Sequence, residues 1–247
     1  AGLPTKMPSL HARFIGNPGT GKTTVARLIG QIYKELGLLS SGHVLLMERR
    51  DFVGKYYDSE KTAVDNALAK AKGGILLIDE AYNLYVKDDT KDPGRKVIEY
   101  LLTALADEEN RDWMLVLAGY PDAMEDMLNS NQGLASRVDT VFNFADCDID
   151  TLMKIAELYC EENRYELSDD AKARLHSVIT KDYETRDRNF GNGRYVNKLI
   201  ESAINTRMAD RLSEIEEPTR EQLITIEADD IPISQKEAER IAKGSFD

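Results

Sequence analysis

Two cysteines, one tryptophan and three histidines in 247 residues leave little material for a disulfide framework or a metal cluster. Cys147 and Cys160 form no CxxC pair and have no histidine at ligand spacing, so they read as reduced, structural thiols. His11, His43 and His176 fall in strand or helix contexts and read as structural, and Trp113 opens a buried strand. Cations are the scarcer charge: 32 Lys and Arg face 44 Asp and Glu, a formal charge of −12. That balance excludes a dedicated nucleic-acid binder, which needs clustered cations to displace counterions from phosphates. Long apolar runs are missing as well. Ile75-Leu76-Leu77-Ile78 and the run 113–118 are strand-sized, far short of the roughly 20 residues of a membrane-spanning helix. With no signal-peptide pattern either, the expectation is a cytoplasmic protein with neither membrane nor nucleic acid among its partners. The start at Ala1, close to the first motif, suggests a module taken from a longer protein.

What is present suits a globular chain, with 42% hydrophobic and 31% charged residues. Apolar blocks at 10–16, 43–47, 75–79, 114–118 and 139–144 read as strands. Between them lie helical patterns. In 23–36, Val25, Leu28, Ile29, Ile32 and Leu36 share a face and Gly37 ends the run; 59–72 starts at Ser59 and stops at Gly73-Gly74; a further helix carries Val97, Ile98, Leu101, Leu102 and Leu105. Strands alternating with helices predict a five-stranded parallel sheet in an αβα sandwich, an α/β fold. Beyond about residue 145 the patterns are helical, at 149–163, 168–181 and 194–212, followed by a strand-like piece at 223–227 and a polar end. The expected division is a nucleotide-binding domain at 1–145, a helical lid at 146–215 and a tail at 216–247.

Gly16-Asn17-Pro18-Gly19-Thr20-Gly21-Lys22-Thr23 matches G-x-x-x-x-G-K-[ST], the Walker A pattern, in full and falls between a strand and a helix. Glycines let the backbone curl so that successive N–H groups face phosphate at the positive end of a helix. Asn17, Pro18, Gly19, Thr20, Gly21, Lys22, Thr23 and Thr24 are therefore the candidate ATP-binding residues, Lys22 on the β- and γ-phosphates and Thr23 on Mg²⁺. The apolar run Ile75-Leu76-Leu77-Ile78 ends in Asp79-Glu80, a Walker B pattern. Asp79 would hold Mg²⁺ and Glu80 would orient or deprotonate the attacking water. The second carboxylate favours an ATP hydrolase over a small-molecule kinase, which would activate a substrate hydroxyl instead.

These motifs, with Thr24-Val25-Ala26-Arg27, Gly73-Gly74, Ala81-Tyr82 and Leu117-Ala118-Gly119-Tyr120-Pro121, resemble the CbbX-like group of AAA+ ATPases. That group includes red-type Rubisco activases, stage V sporulation protein K and ATPase domains of type VII secretion systems. The likeness runs from about residue 8 to residue 212. It implies a P-loop NTPase domain with a helical lid, assembled as a hexamer with itself, as a hetero-ring or beside a neighbouring AAA+ module. By the same resemblance Gly133-Leu134-Ala135-Ser136-Arg137 ends in an arginine finger, Arg137, that reaches a neighbour's nucleotide. Arg194 in Gly191-Asn192-Gly193-Arg194 matches the lid's sensor-2 arginine, and Tyr56 the aromatic of a pore loop that grips polypeptide. After Tyr56 the chain runs shorter than the family pattern, and Tyr120 stands where many AAA+ proteins carry a polar sensor-1 residue. The residues that cover adenine would come from 3–8.

Together these readings point to a Mg²⁺-dependent, ring-forming ATPase that remodels an unidentified protein, in the manner of a chaperone. The alternative is an ATP-gated protein-binding module with little hydrolysis.

Overall fold

The computed structural model describes residues 10–54, 59–87, 89–107, 112–187 and 190–234. They fall into two compact units, one of Ala1–Gly16 with Gly21–Phe144, the other of Asn17–Thr20 with Ala145–Asp247.

The first unit runs β1 (Ala12–Gly16), α1 (Lys22–Glu35), β2 (Val44–Met47), α2 (Arg49–Phe52), α3 (Ser59–Ala71), β3 (Ile75–Ile78), α4 (Pro93–Leu105), β4 (Met114–Gly119), α5 (Pro121–Ser130), α6 (Gln132–Ala135) and β5 (Thr140–Phe144). All five strands are parallel, in the order β2-β3-β4-β1-β5. The central strands β3 and β4 are buried at every residue, as befits a sheet covered on both faces. The period of two sorts them into two cores. Leu76, Ile78, Leu115 and Leu117 pack with Val64, Ala67, Val97 and Leu101 of α3 and α4. Ile75, Leu77, Met114 and Val116 face the other way, with Phe14 of β1 and Ala26 of α1. Helices on both faces of one parallel sheet make the expected αβα sandwich. His11 and Trp113 serve the sheet: His11 Nδ1 accepts the Leu115 N–H at 2.9 Å, and the two rings pack tilted by 46° with centroids 5.2 Å apart.

Helix α4 begins four residues before its apolar pattern does. Asp92 accepts the Gly94 N–H at 2.9 Å, and Pro93 occupies the first helical position, where its missing N–H costs nothing. The Asp92 carboxylate also takes two bonds from Arg49 of α2, at 2.9 and 2.6 Å. Those bonds hold the Asp92 carboxyl below its ordinary pKa. A lowered folded-state pKa stabilises the fold above the ordinary carboxylate range, and the effect is lost as pH falls through it. Asp92→Ala should therefore cost about 2 kcal/mol at neutral pH, through a lost cap and an Arg49 left without its carboxylate. Urea unfolding checks this, and the gap from wild type should narrow as pH falls below the ordinary carboxylate range toward the lowered pKa of Asp92.

The second unit carries α7 (Ile149–Glu162), β6 (Glu166–Leu167), α8 (Asp169–Glu184), α9 (Gly193–Ser202), a π-helical turn (Ala203–Met208), α10 (Ala209–Ser213), α11 (Arg220–Ile224) and β7 (Thr225–Ile226). Side-chain caps start α7 and α8: Asp148 accepts from Thr151 N and Ser168 from Ala171 N. The apolar faces meet in a core of Leu152, Ala156, Leu175, Ile179, Val196 and Ile200. Two details differ from the expectation. Within the range expected to be a helical lid stands a strand, β6, which pairs in parallel with β7. The strand-like run at 223–227 is strand only at its end, since a reciprocal box between Thr219 and Gln222 starts a helical turn that takes up Leu223 and Ile224. Asp230, almost fully buried, accepts three contacts from the Arg211 guanidinium at 2.8 to 3.2 Å.

No helix among the described residues is long and apolar enough to cross a membrane.

Candidate functional site

The phosphate loop starts where β1 ends. Gly19 and Gly21 take left-handed backbone, φ 70° and 89°, and α1 begins immediately afterwards at Lys22. Nothing lies within 4 Å of where a Cβ on Gly21 would be, so backbone conformation alone calls for glycine there. Thr20 Oγ1 donates to the Asn17 carbonyl at 2.8 Å and closes the curl. Lys22 Nζ donates to the Gly16 carbonyl at 2.8 Å, which turns the ammonium back toward the start of the loop. No acidic residue occupies the first turn of α1, so the positive end of the helix dipole is left for an anion. A left-handed glycine pair, a helix N-terminus and a lysine turned over the loop fit a polyphosphate. Thr23 sits half-buried one residue further on and Thr24 is exposed.

The acidic pair stands at the same edge of the sheet. β1 and β3 both run parallel to β4 on its two sides, so Gly16 and Asp79 leave the sheet at its carboxyl edge two strand spacings apart, about 10 Å. Asp79 is half-buried, and its Oδ1 accepts the Glu80 N–H at 3.0 Å. The Asp79 carboxylate and the Thr23 hydroxyl of the loop are oxygen donors of the kind Mg²⁺ prefers. Glu80 is exposed and holds φ 48°, ψ 42°, a left-handed conformation uncommon for a long side chain. Its Oε2 accepts a 3.0 Å bond from Asn83 Nδ2, and Arg49 Nη1 donates to the Asn83 carbonyl at 2.6 Å. Glu80, Asn83, Glu48, Arg49 and Arg50 border a groove of about 580 Å³. Tyr82, against Tyr120 at 5.8 Å, has its phenol pushed up to about 12 by burial, with Glu80 adding to it.

Arg137 lies at the other edge. It precedes β5, whose Thr140 pairs with Ala12 and whose Phe144 pairs with Gly16. The length of the strand, about 13 Å, therefore separates its end of the sheet from the phosphate loop. Its Nη1 donates to the Gly133 carbonyl at 3.0 Å, within its own segment. In the second unit, Arg194 is the second residue of α9, and its N–H bonds the Gly191 carbonyl at 2.9 Å. Tyr56 and the 3–8 segment lie outside the described residues.

Sequence reading did not single out Asn83, Arg49 with Asp92, Asp146 or Asn192. Asn83 could have been found from its place three residues after Glu80, within reach in a helical turn. Asn192 has a signal too: it is an asparagine between two glycines.

Two family descriptions match the chain, "ATPase family associated with various cellular activities (AAA)" over residues 12–145 and "AAA lid domain" over residues 148–241. Stage V sporulation protein K of Bacillus subtilis is 38% identical over 236 residues, 95% of this chain and 72% of that protein. A protein named ribulose bisphosphate carboxylase/oxygenase activase, chloroplastic, from Cyanidioschyzon merolae is 37% identical over 232 residues, 93% of this chain and 78% of its own. Among solved structures, the FIGL-1 AAA domain in complex with ADP superposes with a TM-score of 0.59 at 16% identity, covering 97% of this chain and 73% of that one. That last likeness is one of fold alone.

Proposed function

The chain belongs to the AAA family of ATPases, and on that premise we propose that it hydrolyses ATP with Mg²⁺ in a ring of subunits and uses the cycle to remodel a protein partner. The observation that carries this reading is the arrangement at the carboxyl edge of the sheet, with the Lys22 loop and the Asp79-Glu80 pair two strands apart. A relative named as an activase of another enzyme supports a protein as the object of the work.

In this reading the amides of Gly19 to Thr23 and the positive end of α1 receive the β- and γ-phosphates, and Lys22 exchanges the Gly16 carbonyl for phosphate oxygens. Thr23 and Asp79 hold the metal ion. Mg²⁺, when bound, neutralises charge on the phosphates and aligns them for in-line attack. Glu80 holds the attacking water and accepts its proton. Arg194 touches phosphate from within the subunit, and Arg137, standing at the far edge of its own sheet, serves the nucleotide of the next subunit.

Phosphate release measured beside ATP affinity, over a range of protein concentration, tests the reading. The rate per subunit should rise as rings assemble; ATP binding with no phosphate release would instead identify an ATP-gated binding module. Lys22→Ala should weaken ATP binding by about 10- to 100-fold, the worth of a charge-assisted contact. Titration with ATP at fixed Mg²⁺ reads it directly.

A further inference from the structure

Asn192 occupies a backbone position that suits glycine. Its φ 47°, ψ −122° is strained for any side chain, it is fully buried, and glycines flank it on both sides. An asparagine held there has a use for its amide. Asn192 Nδ2 stands 3.1 Å from the Pro18 carbonyl, 3.0 Å from Asp146 Oδ1 and 3.2 Å from the Phe190 carbonyl, while Oδ1 accepts the Cys147 N–H at 2.9 Å. Three acceptors around one atom and a donor against the other settle which way the amide points.

The same Asp146 oxygen accepts a second amide, Asn17 Nδ2, at 3.0 Å. Backbone contact completes the clasp. Gly193 N–H donates to the Gly19 carbonyl at 3.0 Å, and a Cβ on Gly19 would fall 1.9 Å from the Gly191 carbonyl. Asn17–Thr20 thus packs within the second unit, on the strap 190–194 and on Asp146.

We propose that Asn192 and Asp146 are positioning residues that hold the Asn17–Gly19 half of the phosphate loop in its phosphate-receiving curl. The inference rests on the reading of that loop as the ATP site. Neither side chain needs to touch nucleotide; they act through the Pro18 carbonyl and the Asn17 amide. With the network removed, the loop must be ordered by the ligand itself, and affinity falls by the fraction of time it is not curled.

The test is calorimetric titration of the full chain with ADP, together with its thermal midpoint. Asn192→Gly keeps the backbone conformation available and removes only the amide, so the midpoint should hold while ADP binds about tenfold more weakly. Asp146→Ala should weaken binding to a similar degree, Asp146→Asn, which keeps the acceptor oxygen, should restore it, and the Asn192→Gly, Asp146→Ala pair should lose little more than either alone. In turnover the loss should appear in KM, with kcat retained at saturating ATP. Wild-type affinity in both Asn192→Gly and Asp146→Ala, whatever happens to the midpoints, overturns the inference and leaves the ATP site standing. Wild-type protein that binds no ADP, with Lys22→Ala indistinguishable from it, overturns both.

Discussion

Glu80→Gln should bind ATP as wild type does and release phosphate more slowly by about 10²- to 10⁴-fold, the usual worth of a positioned general base. The amide is the same size and can still accept from Asn83, so the Glu80–Asn83 contact at 3.0 Å survives. What is lost is the ability to take a proton from water. Affinity should be preserved because Glu80 stands beyond the Lys22 loop, at the end of another strand. Single-turnover phosphate release with matched ATP titrations reads both halves of the expectation. Turnover near wild type would remove Glu80 from the chemistry, and lost affinity would assign it to nucleotide binding. If partner protein is held in the ATP state, this variant is also the one that should retain it for identification.

Arg137→Ala should lower turnover by about 10³-fold or more, in the range found for an arginine that meets charge on the transferring phosphoryl group. Its position before β5 puts it a strand length from its own phosphate loop, so the loss should belong to the neighbour's site. A mixture of the two dead variants separates that from an effect within one subunit. An Arg137→Ala subunit retains Glu80 and can borrow an arginine from a Glu80→Gln subunit beside it. Mixed rings should therefore recover part of the activity that neither variant shows alone. If mixing restores nothing although the variants co-assemble, Arg137 acts within its own subunit or only holds the Gly133 carbonyl, to which it bonds at 3.0 Å.

The sheet could be read from sequence because its strands are dense apolar blocks that a parallel interior requires, and β3 and β4 have no polar residue to confuse them. The Lys22 loop and the Asp79-Glu80 pair were legible for another reason. Each is local, with its chemistry carried by neighbours in the chain. The start of α4 was obscured because spacing marks the apolar face, which begins at Val97, whereas Asp92 and Pro93 mark the end through backbone bonds. Asn192 was hidden by distance: its bond to the Pro18 carbonyl joins residues 174 apart in the chain. No periodicity records such a pairing, although strain can be suspected wherever a non-glycine interrupts a glycine run.

The π turn at Ala203–Met208 has a consequence for how this chain tolerates changes of length. A wide turn accommodates one residue more than an α-helix would over the same rise, so the two α segments it joins are out of phase by about 100°, the angle of a single residue. Arg211, on the far side of the turn, meets Asp230 with that offset in place. Removing one residue between 203 and 208 would let the backbone relax into an uninterrupted α-helix, and the helix itself would gain regularity. Its far end would keep its place, because the deletion takes out the residue that the wide turn absorbs, and Arg211 would still meet Asp230; the same deletion within α9 would instead turn the far end by about 100°. The turn is thus the place where this helix can lose a residue without unfastening the end of the unit.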